Sequence, residues 1–236
     1  MVIDVNINTT LAALRLAEKH ACRLVFASSP EAIGEAGIQP MPVSSKSVFD
    51  DAAQHQRHSY GASKYLGEIL LQHAVRTKDL DFRIVRPFNA YGGRCPSTEY
   101  GQVISIFMDA AACGKPLKVH GDGKQTRSFT WVGDITEAFL LAGLTDVAID
   151  DGSKLAGAVW NVGWPEETSI AELAELVAET AGVEVLIEPS KGYFGDSQRR
   201  CPDISLATRQ LGWQPWTTLE AGLRSTWFVI NSRING

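Results

Sequence analysis

The sequence has 236 residues, of which 44% are hydrophobic and 21% are charged, so it predicts a globular chain with a sizeable core in one or two domains. The formal net charge of -5 and the pI near 5.6 argue against nucleic acid or an anionic membrane as the main partner. No apolar run is long enough to span a membrane and no secretory signal is recognisable, so a cytoplasmic location is expected.

The four cysteines are scattered along the chain, without a C-x-x-C pair or a histidine at metal-ligand spacing. They are Cys22, Cys95, Cys113 and Cys201. This pattern predicts reduced thiols, with neither a disulfide framework nor a metal site.

The first part of the chain alternates helix and strand patterns. Residues 9–19 carry apolar side chains at helical spacing, with Thr9 or Thr10 able to cap the helix. The apolar run 24–27 is typical of a strand that is buried on both faces of a parallel sheet. A polar loop follows over residues 35–57.

The same alternation continues to the C-terminal part. A helix is predicted to begin near Tyr60, and a strand over residues 82–86 is stopped by Pro87. A helix over 103–113 and a third short strand over 160–163 follow. Residues 169–181 predict a further helix, with Ser169 and Glu172 as a capping box. This order of elements favours a doubly wound α/β fold with a parallel sheet.

Tyr60 and Lys64 are the first candidate catalytic residues. On a helix they are four residues apart and share one face. A nearby ammonium favours a phenolate and lowers a tyrosine pKa that starts at about 10, so Tyr60 could act as a general base. The alternative is an ordinary aromatic residue in the first turn beside a solvated lysine.

Polar residues follow the predicted strands at the carboxyl edge of the sheet, where ligands of such folds bind. Ser28 and Ser29 end the first strand, and Asn89 and Tyr91 follow the second. Tyrosine as base, serine as hydrogen-bond donor and lysine as support make a site for carbonyl–alcohol redox chemistry. Such a site implies a nicotinamide cofactor, because no side chain accepts a hydride.

Several motifs occur in a fixed order along the chain. They are residues 6–10 (NINTT), 26–34 (FASSPEAIG), 60–68 (YGASKYLGE), 86–92 (RPFNAYG), 121–129 (GDGKQTRSF), 199–204 (RRCPDI) and 211–215 (LGWQP). Together they resemble the extended short-chain dehydrogenases/reductases of the NAD-dependent nucleotide-sugar epimerase/dehydratase family. Thr9 stands where the family has glycine, and Ile33 where it has tyrosine.

The resemblance implies a role for each matching residue. Tyr60 would remove the proton of the sugar 4-hydroxyl while NAD takes the hydride, and Ser29 would bind the same oxygen. Lys64 would hold the nicotinamide ribose and lower the Tyr60 pKa. Asn89 would contact the sugar or the diphosphate of a nucleotide sugar, which the resemblance implies to be UDP-linked.

Arg127 and Arg200 would pair with the diphosphate, since a guanidinium bonds phosphate oxygens bidentately. Surface ion pairs are the alternative for both arginines. Glu68 is expected to be an exposed or capped carboxylate with a structural role. Asn6 could support a proton relay or be a buried, backbone-bonding asparagine.

Oxidation of the 4-hydroxyl would give a 4-keto intermediate. The resemblance implies less clearly which reaction this intermediate then undergoes. Dehydratases of the family carry T-D-E where this chain has Ser29, Pro30 and Glu31, so dehydration is disfavoured. Glu31 matches a glutamate of the UDP-glucuronate decarboxylases, although it could be a simple turn carboxylate. Residues 99–104, which begin with Glu99 and Tyr100, also resemble the decarboxylases. The resemblance therefore implies 4-epimerisation of a UDP-sugar, the family's most frequent outcome, with decarboxylation close behind.

The sequence contains no strand followed by G-x-x-G-x-x-G and a helix, the pattern that binds the NAD pyrophosphate in this family. We therefore expect an N-terminally truncated Rossmann-like sheet with an uncovered edge, which a homodimer or another partner would complete. Residues 1–90 and 128–165 would form its remnant, and residues 91–127 and 166–236 a small substrate-binding domain. A catalytically silent nucleotide-sugar-binding or dimerising remnant is the alternative to an enzyme.

Overall fold

The computed structural model describes residues 2–35, 37–51, 53, 58–98, 101–184, 186–191 and 197–235. The helices are α1 (Val2–His20), α2 (His58–Lys78), α3 (Val103–Ala112), α4 (Val132–Leu144), α5 (Ile170–Ala181), α6 (Ser205–Leu211) and α7 (Leu219–Asn235). The strands are β1 (Leu24–Ala27), β2 (Phe82–Pro87), β3 (Ala90–Tyr91), β4 (Leu117–His120), β5 (Thr126–Arg127), β6 (Thr130–Trp131), β7 (Val159–Val162), β8 (Thr168–Ser169), β9 (Ile187–Ser190) and β10 (Arg199–Arg200). A short 3-10 helix covers Pro30–Ala32.

The main sheet is parallel, with the strand order β1-β2-β7. Successive residues of β2 face opposite layers: Ile84 packs with Leu71 and Ala74 of α2, whereas Val85 packs with Ile135 and Ala138 of α4. Helices therefore cover both faces of the sheet, and the predicted Rossmann-like α/β fold is confirmed.

Two local expectations near the N-terminus are wrong. The first helix begins at Val2, so Thr9 and Thr10 lie inside it, and the Thr10 hydroxyl donates to the carbonyl of Asn6 at 2.7 Å instead of capping the helix. β1 is not buried on both faces: Leu24, Val25 and Phe26 are partly buried and Ala27 is exposed. Within the described residues β1 pairs only with β2, so the backbone of its other edge has no pairing strand there.

A second core lies beyond the main sheet, where α3, α5 and α7 pack together next to the paired strands β4 and β9. α5 begins as predicted, because Ser169 and Glu172 form a capping box. It ends at Gly182, whose φ of 63° is a left-handed conformation that glycine adopts without strain. The local turn chemistry thus sets both ends of this helix.

β5 lies between β10 and β8 in a small three-stranded sheet. Its parallel pairing with β10 places Arg127 opposite Arg200 in the register, and its antiparallel pairing with β8 leads into α5. Two arginines that are far apart in the sequence therefore lie on neighbouring strands.

Glu68 is buried, with 5% of its surface exposed, and is not the exposed or capped carboxylate that was expected. Its carboxylate accepts two hydrogen bonds from Arg86, from Nε at 2.8 Å and from Nη2 at 2.6 Å. Ser28 donates a third from its hydroxyl at 2.5 Å, and Arg86 Nη1 also donates to the carbonyl of Val43 at 3.1 Å. The ion pair thus joins α2, β2, the end of β1 and the loop that follows it.

None of the helices in the described ranges is long and apolar enough to cross a membrane. The thiols of Cys22, Cys95, Cys113 and Cys201 are free.

Replacing Glu68 by glutamine should lower the free energy of unfolding by about 3–5 kcal/mol, because the buried guanidinium of Arg86 loses its counter-charge. The matched control is Glu18→Gln, which breaks the exposed ion pair with Lys78 and should cost about 0–1 kcal/mol. Urea unfolding of the two variants measures the difference. Similar, small losses of unfolding free energy in both variants would show that the buried pair does not stabilise the fold.

Candidate active site

Ser29 lies at the carboxyl end of β1, where the chain turns into the short 3-10 helix. Its backbone is extended (φ -158°, ψ 152°), and its hydroxyl accepts a hydrogen bond from the backbone N–H of Glu31 at 3.2 Å. Pro30 occupies the first helical position, where the missing N–H costs nothing. This cap holds the Ser29 hydroxyl and the Glu31 side chain close to each other at the edge of the sheet.

Tyr60 lies in the first turn of α2 and reaches the same edge. A side-chain hydrogen bond joins it to Ser29, and 36% of its surface is exposed. The neighbouring Gly61 allows the close approach, because a Cβ at that position would lie 2.3 Å from the carbonyl oxygen of Glu31. The structure therefore brings the two hydroxyls together, as a substrate oxygen bound by both would require.

The pKa of Tyr60 is raised above its ordinary value, and not lowered as the sequence suggested. Partial burial is the main cause, and the negative charge of Glu31 adds to it, while the hydrogen bond from Ser29 acts in the opposite direction. Tyr60 is therefore a neutral phenol near pH 7 in this structure. To act as a base it needs a further positive charge nearby.

Lys64 does not supply that charge, because its ammonium is directed elsewhere. Nζ donates to the carbonyl of Ala27 at 2.8 Å and lies 5.7 Å from the centre of the Tyr60 ring. Burial lowers the pKa of Lys64. Lys64 thus lies beside the end of β1, next to a groove of about 250 Å³ that is also lined by Asn6, Thr9 and Phe26.

Arg200 enters the site from β10 and meets acidic side chains of the segment after β1. Its Nη1 lies 3.3 Å from Glu31 Oε1, and its Nη2 lies 3.7 Å from Glu35 Oε1. The Arg200 side chain is only 14% exposed. Arg200 is therefore a largely buried cation whose partners are carboxylates, and one of these, Glu31, also acts on Tyr60.

The other predicted substrate-binding residues lie beside this group. Asn89 follows β2 with a φ of 37°, a left-handed conformation that asparagine tolerates better than most residues, and its Nδ2 donates to the carbonyl of Ser128 at 2.8 Å. Arg127 Nη1 donates to the carbonyl of Thr126 at 2.7 Å. Asn89 therefore supports the chain before β6, and Arg127 lies next to Arg200 by strand register.

Asn6 has a partner that the sequence did not suggest. Its Nδ2 donates to the hydroxyl of Ser63 at 2.8 Å, and that hydroxyl donates to the carbonyl of Tyr60 at 2.7 Å. Asn6 thus bonds a side chain, not the backbone, and joins α1 to the first turns of α2. Sequence reasoning also missed Glu35, because a single glutamate in a polar loop carries no motif.

The described residues fit only the nicotinamide end of NAD. Tyr60 and Lys64, at the carboxyl end of β1, are the residues that would hold a nicotinamide and its ribose. The described residues contain no glycine-rich turn from a strand into a helix, the arrangement that binds a pyrophosphate. The decarboxylase-like residues Glu99 and Tyr100 lie outside the described residues.

Residues 1–163 match the profile of the NAD dependent epimerase/dehydratase family. UDP-glucuronic acid decarboxylase 1 of Arabidopsis thaliana is 33% identical over 223 residues, which cover 94% of this chain and 48% of that protein. The chain thus spans about half the length of this curated relative.

Solved structures of similar fold include nucleotide-sugar enzymes. UDP-glucose 4-epimerase of Thermotoga maritima, solved with UDP-glucose, has a TM-score of 0.84 and 27% identity, covering 98% of this chain and 70% of that one. UDP-glucose 4-epimerase of Thermus thermophilus, solved with NAD, has a TM-score of 0.79 and 25% identity, covering 96% and 70%.

Replacing Glu31 by glutamine should lower the pKa of Tyr60, because the charge of Glu31 contributes to its raised value. The phenolate absorbance of wild type and variant, each corrected with the matching Tyr60→Phe protein, measures that pKa. Glu175→Gln on the exposed face of α5 removes the same charge far from Tyr60 and serves as the control. An unchanged Tyr60 pKa in Glu31→Gln would contradict the electrostatic contact.

Proposed function

Because the chain belongs to the NAD dependent epimerase/dehydratase family, we propose that it carries the sugar-converting part of an enzyme that decarboxylates a UDP-linked glucuronate through a 4-keto intermediate. The ion pair between Glu31 and Arg200, at 3.3 Å and adjacent to the Ser29–Tyr60 pair, carries this proposal. The resemblance implied the diphosphate as the partner of Arg200; we assign Arg200 to the sugar instead, where a neutral hexose offers a buried guanidinium no anionic group and a sugar carboxylate does.

The hydroxyls of Ser29 and Tyr60 are the groups that would bind the sugar 4-oxygen. Tyr60 takes the proton of the 4-hydroxyl, and Ser29 donates a hydrogen bond to the same oxygen. NAD is the family's cofactor and, when bound, supplies the acceptor for the C4 hydride. Its oxidised nicotinamide is cationic, and a cation next to Tyr60 would favour the phenolate that this protein alone does not stabilise.

Arg200 and Glu31 would act at the other end of the sugar. Once C4 is a ketone, the C5 carboxylate is a β-keto acid, and loss of CO₂ leaves the electron pair in an enolate at the 4-oxygen. The hydroxyls of Tyr60 and Ser29 stabilise that charge by hydrogen bonds. Arg200 orients the carboxylate before it leaves, C5 then takes its proton from solvent water, and Glu31, a carboxylate that faces the same space, would orient that water as a hydrogen-bond acceptor.

The second candidate is 4-epimerisation, which the sequence favoured on the frequency of that outcome in the family. Epimerisation of a neutral UDP-sugar needs the Ser29–Tyr60 pair, but that sugar has no carboxylate for Arg200 to bind. Its support is the likeness to the Thermotoga maritima 4-epimerase. The 33% identity to a decarboxylase and the place of Arg200 favour decarboxylation instead.

The open edge of β1 is the place where we propose that the sheet is completed. The strand is apolar and partly exposed, and one side of its backbone lacks a pairing strand among the described residues. A further strand along this edge would also cover the groove beside Lys64. A second copy of this chain could pair along the edge, whereas a pyrophosphate-binding turn has to come from a segment other than the described residues, which contain none.

UDP-glucuronate should bind the chain more tightly than UDP-glucose, and Arg200→Gln should remove most of the difference. A charge-assisted hydrogen bond contributes about 1.5–3 kcal/mol, which corresponds to roughly a tenfold or larger preference. Calorimetric titration with both sugars measures it. The control is Arg209→Gln, which removes an exposed arginine that pairs with Asp150 and should leave the preference intact.

Equal affinities of wild-type protein for the two sugars would contradict decarboxylation and favour 4-epimerisation. Absence of binding of either sugar would remove the support for both enzymatic functions.

A further inference from the structure

Arg200 is shared by two carboxylates that are four residues apart in the sequence. Glu31 meets Nη1 at 3.3 Å, and Glu35 meets Nη2 at 3.7 Å. Two carboxylates therefore occupy the guanidinium of Arg200, and an anion that approaches it meets them first. It can bind the guanidinium well only if one carboxylate gives up its place.

The backbone fixes Glu35 beside Arg200. Its N–H donates to the carbonyl of Val48 at 3.1 Å, and the N–H of Val48 donates to the carbonyl of Ile33 at 2.9 Å. Gly34 makes this contact possible, since its φ is 70° and a Cβ would lie 2.0 Å from the Val48 oxygen. The loop between β1 and α2 thus holds the start of the Glu35 side chain in place.

The Glu35 carboxylate is also held at its far end, because the hydroxyl of Ser197 donates to Oε2 at 3.3 Å. Ser197 is buried and lies three residues before Arg200. The Glu35–Arg200 contact is therefore part of a small network that joins the loop after β1 to the segment leading into β10.

The two carboxylates differ in their freedom to move. Glu31 is 33% exposed, and its charge acts on Tyr60. Glu35 is 47% exposed, its ion pair is longer, and it lines a cavity of about 550 Å³ into which its side chain can turn. Although Glu35 also accepts a long hydrogen bond from Ser197, its longer and more exposed ion pair makes it the partner that an incoming anion displaces at the lower cost.

We propose that Glu35 is a specificity-determining residue, an internal counter-ion that occupies Nη2 of Arg200 until an anionic group of the ligand replaces it. The inference rests on the proposed function in so far as that anionic group is the carboxylate of a nucleotide-linked uronate. Such a ligand binds Arg200 only by displacing Glu35, so its affinity is lowered by the lost contact. A neutral sugar leaves the Glu35–Arg200 pair intact.

The test compares Glu35→Gln with wild type in calorimetric titrations with UDP-glucuronate and with UDP-glucose. Glutamine keeps the shape and removes the charge at a half-exposed position, so the fold should be retained, which urea unfolding verifies. We expect UDP-glucuronate to bind Glu35→Gln about two- to fivefold more tightly, the range of an exposed ion pair, with UDP-glucose unchanged. Added salt should reduce the gain.

Glu175→Gln is the matched control, because it removes one negative charge from the exposed face of α5, away from Arg200. An equal gain in this control would show an effect of net charge alone and would overturn the inference. An unchanged or weaker affinity of Glu35→Gln for UDP-glucuronate, with wild-type binding intact, would overturn it too and leave the proposed function standing.

The remaining outcomes also distinguish the inference about Glu35 from the proposed function. A gain for both sugars would support the counter-ion and move the contact of Arg200 from the sugar to the diphosphate, against the proposed substrate. If Glu35→Gln binds UDP-glucuronate and the wild-type protein does not, the inference is supported most strongly. Failure of both proteins to bind either sugar would overturn the inference together with the proposed function.

Discussion

The buried ion pair between Glu68 and Arg86 is the contact on which the geometry of the site depends. Glu68 lies two turns beyond Tyr60 on α2, and Arg86 lies on the central strand β2. Their bidentate contact, with the hydroxyl of Ser28 as a third partner, fixes the helix relative to the ends of two strands. Burying two charges is costly, so the pair is best understood as setting one arrangement of these elements.

That arrangement determines which groups meet at the sheet edge. Ser28 is bound to the ion pair, so the next residue, Ser29, is held where the Tyr60 hydroxyl can reach it. Charge is distributed unevenly around the two hydroxyls. Glu31 and Arg200 lie on one side, while the ammonium of Lys64 faces the carbonyl of Ala27 on the other. The raised pKa of Tyr60 follows from this distribution and from burial.

Much of the fold could be predicted from the sequence, because it depends on local patterns. The strand over residues 82–86, the strand over 160–163 and the capping box of α5 follow from short apolar runs and from turn chemistry. The wrong start of α1 shows the limit of such signals. A threonine can cap a helix or bond to the carbonyl four residues before it, and the sequence does not distinguish these for Thr10.

The contacts of the site were less predictable, because they depend on long-range packing. Arg200 and Glu31 are 169 residues apart, and they meet because β10 pairs with β5 and the chain after β10 bridges to Met41 in the loop that follows β1. The motif identified Tyr60 and Lys64 as a pair, but the sign of the Tyr60 pKa shift depends on burial and on Glu31, which a spacing rule does not contain. Glu68 was misjudged for the same reason, since its partner lies on another element.

We infer that the described residues hold the sugar end of an active site and contain no pyrophosphate-binding turn. Calorimetric titration of one preparation with UDP-glucuronate and, separately, with NAD tests it most directly. The account predicts measurable binding of the sugar nucleotide and far weaker binding of NAD, because Tyr60 and Lys64 can hold only the nicotinamide end. Tight binding of NAD to the chain alone, or no binding of UDP-glucuronate, would contradict it.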